Sequence, residues 1–434
     1  MPRGMEAQTI TAFLAVGAII FVGFLANIIF TKYRVPDVLL LIFLGVLLGP
    51  ELIGGSLGFF TYDSLAEVNK FRDIFLNAAL VLILFDGGLN LDLRSALKSM
   101  KLATFITVLT FVCEMLLVAL ALFVFLGLDI KLALVVGTIV GGTSEAVVIP
   151  IARKMRIREE TKAMLVMESV ITDVLVIVIA IAMMSAITLG DVGMFFIPGE
   201  LAIDFLVGAA IGFVAGTLWL FVLQRLQNQP MSYMITVAAL FFVAGVAEMP
   251  PIESSSVVAA LMFGLAIGNR KLLKRRMTSI TLRLSSDEHI QEFQEEISFF
   301  VRTFFYVYLG VVFIFGSFEL MHLVVGLGII GIIMATRRGT SLLARKLGDL
   351  DRGDANALFA MMPRGLAAAV LATMPATLLS GQPFWEDSYA DLILNIVLIV
   401  IVGTTIVASI LVIWTERKID RVNHDKFAAK IYEE

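Results

Sequence analysis

IKLALVVGTIVGGTSEAVVIPIARK, residues 130–154, is an apolar run long enough to cross a bilayer, with polar and flexible residues in its middle. A hydrocarbon core takes about 20 helical residues. Gly137, then Gly141-Gly142-Thr143-Ser144-Glu145, then Pro150 interrupt this run. Inside lipid a helix must satisfy its own backbone. Broken backbone at that depth is tolerated only within protein or against a water-filled cavity. The stretch therefore predicts a broken helix held inside a bundle of other spans.

The rest of the 434 residues agree with that reading. Hydrophobic residues make up 59% and charged residues only 16%, with mean hydropathy +0.95. This excludes a disordered chain, a coiled coil and an ordinary soluble enzyme. A net charge of −4 suggests no nucleic-acid partner. The single cysteine, Cys113, excludes an intramolecular disulfide. Apolar segments are expected at 9–30, 35–49, 71–90, 102–126, 130–152, 161–189, 200–223, 231–247, 252–268, 290–316, 319–344, 354–380 and 388–415. The first is read as a true span, not a removable leader. The expectation is an all-α polytopic membrane protein with 13 transmembrane helices.

Lys and Arg cluster on alternate connections, among them Arg153, Lys154, Arg156, Arg158 and Lys162 in one, and Arg337, Arg338, Arg345, Lys346 and Arg352 in another. The bias places the N-terminus outside and the C-terminus in the cytoplasm of a plasma or inner membrane. Thirteen spans divide as a six-span repeat (1–189), a linker span (190–230), an inverted six-span repeat (231–415) and a short cytoplasmic tail (416–434). In that scheme spans 5 and 12 are equivalent. Span 12 is interrupted too, at Pro363-Arg364-Gly365 and Pro375. Paired interruptions in inverted halves point to crossed broken helices at a midplane binding site.

Ionisable side chains at membrane depth cost about 2.5–3.5 kcal/mol each on insertion scales and mark functional or paired groups. The candidates are Asp86, Glu114, Glu145, Glu168, Asp173, Arg302 and Arg364. Asp86, near Asp92 and Arg94, is read as a local cap. In span 6, Ser169 and Asp173 share one helix face and Glu168 and Thr172 a neighbouring one. Asp173 with Ser169 offers hard oxygen ligands that also hold a proton. Glu168 needs a counter-charge, and Arg364 is the expected partner in a structural ion pair. Span 5 adds Thr143, Ser144 and Glu145, and a break there would free backbone carbonyls for a cation. Glu145 is either a ligand, a second titrating group or a residue at an aqueous entrance. No phosphate-binding Gly-x4-Gly-Lys-Ser/Thr motif occurs, so no ATP-driven pump is indicated, and no His-Glu-x-x-His suggests a zinc protease. A secondary transporter, rather than an enzyme, remains.

Five segments carry a resemblance: Arg34-Val-Pro-Asp with Leu44-Gly-Val-Leu-Leu-Gly-Pro50, Leu84-Phe-Asp-Gly-Gly-Leu89, Gly142-Thr-Ser-Glu-Ala-Val-Val148, Glu168-Ser-x-x-Thr-Asp173 and Pro363-Arg-Gly-Leu-Ala-Ala-Ala369. In this order the sequence resembles the monovalent cation/proton antiporters, in their NhaP-like and NHE-like branch. The resemblance implies a homodimer in the lipid bilayer, a mobile core domain, no cofactor, and Na⁺, Li⁺ or K⁺ competing with H⁺ at Asp173. It implies Thr143, Ser169 and Asp173 as ligands of the transported metal ion and Glu168–Arg364 as the stabilising pair. It departs from the family pattern at Thr172, where asparagine is usual, and at Glu145. An uncharged Thr172 favours electroneutral exchange. The other readings are a proton-coupled solute symporter and a K⁺-selective antiporter or channel.

Overall fold

The computed structural model describes residues 3–33, 36–57, 72–90, 101–188, 199–226, 232–250, 255–270, 288–312 and 319–432. Arg34 and Val35 of the first resembling segment, Asp92 and Arg94, and 190–198 and 227–230 of the expected linker lie outside them. Among the described residues there is no strand, as expected where backbone groups must be satisfied locally.

The helices in order are α1 (Arg3–Tyr33), α2 (Asp37–Leu48), α3 (Ile53–Leu57), α4 (Arg72–Asn90), α5 (Lys101–Leu126), α6 (Ile130–Ile139), α7 (Glu145–Lys154) and α8 (Glu159–Thr188). Then come α9 (Gly199–Arg225), α10 (Ser232–Glu248), α11 (Ser256–Gly268), α12 (Glu288–Val312), α13 (Leu320–Gly348), α14 (Arg352–Ala360), α15 (Leu366–Leu378) and α16 (Ser388–Tyr432). Six described stretches are long and apolar enough to cross a membrane, and seven shorter apolar helices accompany them. Large apolar side chains such as Phe21, Phe125 and Phe242 are exposed, as on a lipid-facing surface.

The chain forms two compact units. One comprises Met1–Phe24, Leu41–Ser99 and Ile177–Phe315; the other comprises Leu25–Leu40, Met100–Val176 and Gly316–Glu434. In the first, α11 packs against α4, α9 and α10 around Phe85, Leu240 and Phe263. Small residues set these distances: a Cβ on Gly212 would run into the backbone of Ala259, and one on Gly264 into that of Phe85. In lipid, such close backbone approach is a main source of helix association. In the second unit α5 packs against α6 and α13, while α16 packs against α13, α14 and α15.

Two of the interruptions read from the sequence, at Gly141–Glu145 and at Pro363-Arg364-Gly365, are breaks, whereas Gly137, Pro150 and Pro375 lie inside helices. The apolar run 130–152 is two helices, α6 and α7, separated at 140–144, and the run 354–380 is α14 and α15, separated at 361–365. Pro363 has no amide hydrogen to continue α14 and disfavours helical backbone at Met362. Gly141-Gly142, the weakest non-proline helix formers, end α6.

Candidate functional site

Both breaks belong to the second unit, and they meet. The Ser144 amide donates to the Pro363 carbonyl at 2.8 Å. A Cβ on Gly365 would collide with the Ser144 side chain, so glycine is required there by proximity. Arg364 Nη1 donates to the Gly142 carbonyl at 2.8 Å, and the Arg364 amide donates to Thr404 Oγ1 at 3.2 Å.

Thr172, on α8, holds the first break in place. Its hydroxyl donates to the Glu168 carbonyl at 2.9 Å and accepts the Thr143 amide at 3.1 Å. Thr143 Oγ1 lies 3.2 Å away, and with the Thr172 proton already given to its own helix, Thr143 is the donor. A hydroxyl has one proton and two lone pairs. Thr172 has used all three, so it acts as an anchor for the unwound segment, while the Thr143 oxygen keeps its lone pairs. One residue on, Asp173 Oδ2 accepts the Glu145 amide at 3.4 Å. That amide opens α7, so Asp173 faces the positive end of a helix dipole. Asp173 and Glu145 are half-buried. Ser169, one turn before Asp173, is buried and donates to the Val166 carbonyl at 3.0 Å.

The ion pairs differ from the expected one. Glu168 does not pair with Arg364. It receives both terminal nitrogens of Arg337, at 2.6 and 3.2 Å, and Arg364 Nη2 donates to Glu114 Oε2 at 2.6 Å. Arg364 and Glu114 are wholly buried, and Arg337 is 3% exposed. In the sequence Arg337 groups with Arg338, Arg345 and Lys346 as part of a connection. The helix α13 runs through it, however, and turns Arg337 inward while Arg338 is exposed, resting on Phe359. The signal was available in the apolar run 319–344, which already contained Arg337. Glu114 stands out in the sequence as a membrane-depth charge, but nothing in its sequence neighbours points to a residue 250 positions away.

Each arginine also serves a helix end. Arg364 meets the Gly142 carbonyl just after α6, and Arg337 Nη2 meets the Leu358 carbonyl in the last turn of α14, at 2.8 Å. These carbonyls lie at the negative ends of two half-helices. At the first break, where freed carbonyls were expected, the Gly142 carbonyl has a protein donor in Arg364; at the second, Leu358 is met by Arg337 and Pro363 by Ser144. Side-chain oxygens beside the first break include the Asp173 and Glu145 carboxylates and the hydroxyls of Thr143, Ser144 and Ser169. Asp86, in the other unit, accepts from the Asn90 side chain at 3.0 Å, a local contact within α4.

The family described as "Sodium/hydrogen exchanger, transmembrane" matches residues 17–418. The chain belongs to this sodium/hydrogen exchanger family. Its relatives are named as transporters rather than enzymes. Among them is the K⁺/H⁺ antiporter NhaP of Alkalimonas amylolytica, 27% identical over 62% of this chain. The chain spans only 45% of that relative's length. The probable Na⁺/H⁺ antiporter 2 of Methanocaldococcus jannaschii is 25% identical over 87% of each chain. The exchanger fold is shared with the sodium proton antiporter MjNhaP1 of the same organism, solved at pH 8, with a TM-score of 0.72 at 19% identity over 94% of this chain and 99% of that one.

Proposed function

We propose that the protein is a secondary antiporter exchanging Na⁺, Li⁺ or K⁺ for H⁺, with cation and proton competing for Asp173. The observation that carries this reading is the meeting of two broken helices beside that carboxylate, with the first amide of α7 donating to it. Glu114 and Glu168 are each bonded to a buried arginine, whereas Asp173 is half-buried and accepts the first amide of α7. Thr143 and Ser169 complete the oxygen set, Ser144 and Thr172 shape the break, and Glu145 adds negative charge on the approach to Asp173.

The names of the relatives support both ions, K⁺ in one and Na⁺ in the other. The uncharged Thr172 beside Asp173 favours one-for-one, electroneutral exchange. A symporter of anionic solutes would want free positive charge in its site, and Arg337 and Arg364 are both neutralised by carboxylates. The reading includes thirteen spans in two inverted repeats with crossed broken helices, a homodimer, and an N-out, C-in arrangement in a cell membrane.

The test is proton flux in proteoliposomes, followed with a pH-sensitive dye, comparing Na⁺, Li⁺, K⁺ and choline. Flux driven by a small cation and not by choline supports antiport, and no cation-dependent flux rejects it.

A further inference from the structure

Arg158 stands outside the apolar segments, in the short connection between α7 and α8, and the transport reading gives it no role. Its side chain is 45% exposed, yet it makes an unusually full set of bonds. Nε donates to Asp354 Oδ2 at 2.5 Å, and the backbone amide donates to Asp354 Oδ1 at 3.3 Å. Nη2 donates to the Asp349 carbonyl at 3.1 Å. The bond to Asp354 holds the Arg158 pKa above its ordinary value, so the guanidinium stays charged at any working pH.

Its partners are helix ends. Asp354 is 1% exposed in the first turn of α14, where it and Asp351 form a reciprocal capping box. Its negative charge is favoured there by the helix dipole. Asp349 closes α13 in the left-handed region, at φ 49°, and its carbonyl is one of those a helix C-terminus leaves unmet. One arginine thus ties the start of α8 to the start of α14 and the end of α13. Those helices carry the site: α8 bears Glu168, Ser169, Thr172 and Asp173, α13 bears Arg337, and α14 leads into the break containing Arg364.

We propose that the Arg158–Asp354 clasp is a positioning device for the ion site, fixing the rotation of α8 and thereby the alignment of Asp173 with the first amide of α7. The proposal rests on the antiport reading of Asp173. That residue lies about 22 Å along α8 from the clasp, at 1.5 Å per residue. A helix transmits rotation at one end to side chains at the other. The Glu145–Asp173 bond is already long, so a small turn of α8 decides whether it forms. Lysine cannot replace Arg158 fully, because its single nitrogen cannot reproduce separate Nε and Nη2 bonds.

The experiment compares wild type, Arg158→Ala, Arg158→Lys, Asp354→Asn and the Arg158→Ala/Asp354→Asn double variant, all as full-length protein in proteoliposomes. It reads the half-saturating Na⁺ or K⁺ concentration and the pH midpoint of flux, with amide hydrogen exchange of 141–145 and 361–365 measured in parallel. Arg158→Ala should raise half-saturation about tenfold, the low end of what outer-shell partners of a metal site contribute. It should also speed exchange at 141–145. Arg158→Lys should recover part of both, and the double variant should be no worse than the worse single. Wild-type half-saturation, pH midpoint and hydrogen exchange in Arg158→Ala would overturn the proposal, as would a reduced maximal rate alone. If Arg158→Ala does not fold, Arg158→Lys and Asp354→Asn carry the same comparison. If wild type shows no cation-driven flux, the antiport reading fails, and the hydrogen-exchange arm still decides the clasp.

Discussion

The two compact units solve the problem of packing in lipid by different physics. The unit built around α4, α9, α10 and α11 brings backbones together at glycine and fills the rest with Phe85, Phe263 and Leu240. The unit built around α5, α13, α15 and α16 buries Glu114, Glu168, Arg337 and Arg364 and interrupts two helices. Dispersion between small residues suffices to hold helices together. Buried ion pairs are poorer at this, since apolar residues of similar volume are often as stable or more so. The charged unit is therefore the one whose composition packing alone does not explain.

Changes on the two sides should fail differently. The largest effect belongs to Asp173→Asn, which should abolish exchange while the purified protein stays folded and monodisperse. Substantial cation-driven flux from that variant would remove Asp173 from the site. Next come the ion pairs. Arg364→Ala or Glu114→Ala leaves a wholly buried partner unpaired, a loss of about 3–5 kcal/mol in comparable pairs. Thermal unfolding should show this, and Glu114→Leu with Arg364→Met should recover part of the lost melting temperature. Singles that melt like wild type would mean the pair contributes nothing.

In the apolar unit, Gly212→Ile forces a side chain into the backbone of Ala259, with a penalty of about 1–3 kcal/mol typical of overpacking. It should lower the melting temperature and leave half-saturation and pH midpoint where they were. A shifted pH midpoint would erase the distinction between the two units. The smallest change is Thr172→Ser, which keeps the anchoring hydroxyl and should transport almost as wild type. Thr172→Val leaves the Thr143 amide and hydroxyl unmet, at about 1–3 kcal/mol for a buried polar group, and should weaken cation affinity. Equal behaviour of the serine and valine variants would show that the hydroxyl anchors nothing.

Much of the fold was legible because its signals are local. Gly141-Gly142 and Pro363 act on their own backbone, so both breaks could be read directly. The apolar runs likewise needed only their length. The face shared by Ser169 and Asp173 follows from helical periodicity. What could not be read was which charge meets which. Glu114 and Arg364 are brought together by the packing of α5 near the breaks, and no pattern in sequence encodes that. Arg337 and Arg338 look alike as neighbours in sequence, and only the rotation of α13 sends one to Glu168 and the other to the surface. The double use of each arginine, on a carboxylate and on a helix-end carbonyl, is equally a product of three-dimensional placement.

The two buried pairs contain two positive and two negative charges. A membrane potential acts on charge at about 2.3 kcal/mol per elementary charge per 100 mV. On the four side chains together it exerts no net force. In the exchange proposed above, electrical work would then come from charges outside these pairs, among them Glu145 and Asp173 with the ion or proton it binds. A bound proton or monovalent cation brings that carboxylate to zero as well. On the proposed antiport reading, the pairs would add no net charge to the loaded site, leaving Glu145 and Asp173 with its ion to set the site's response to the potential.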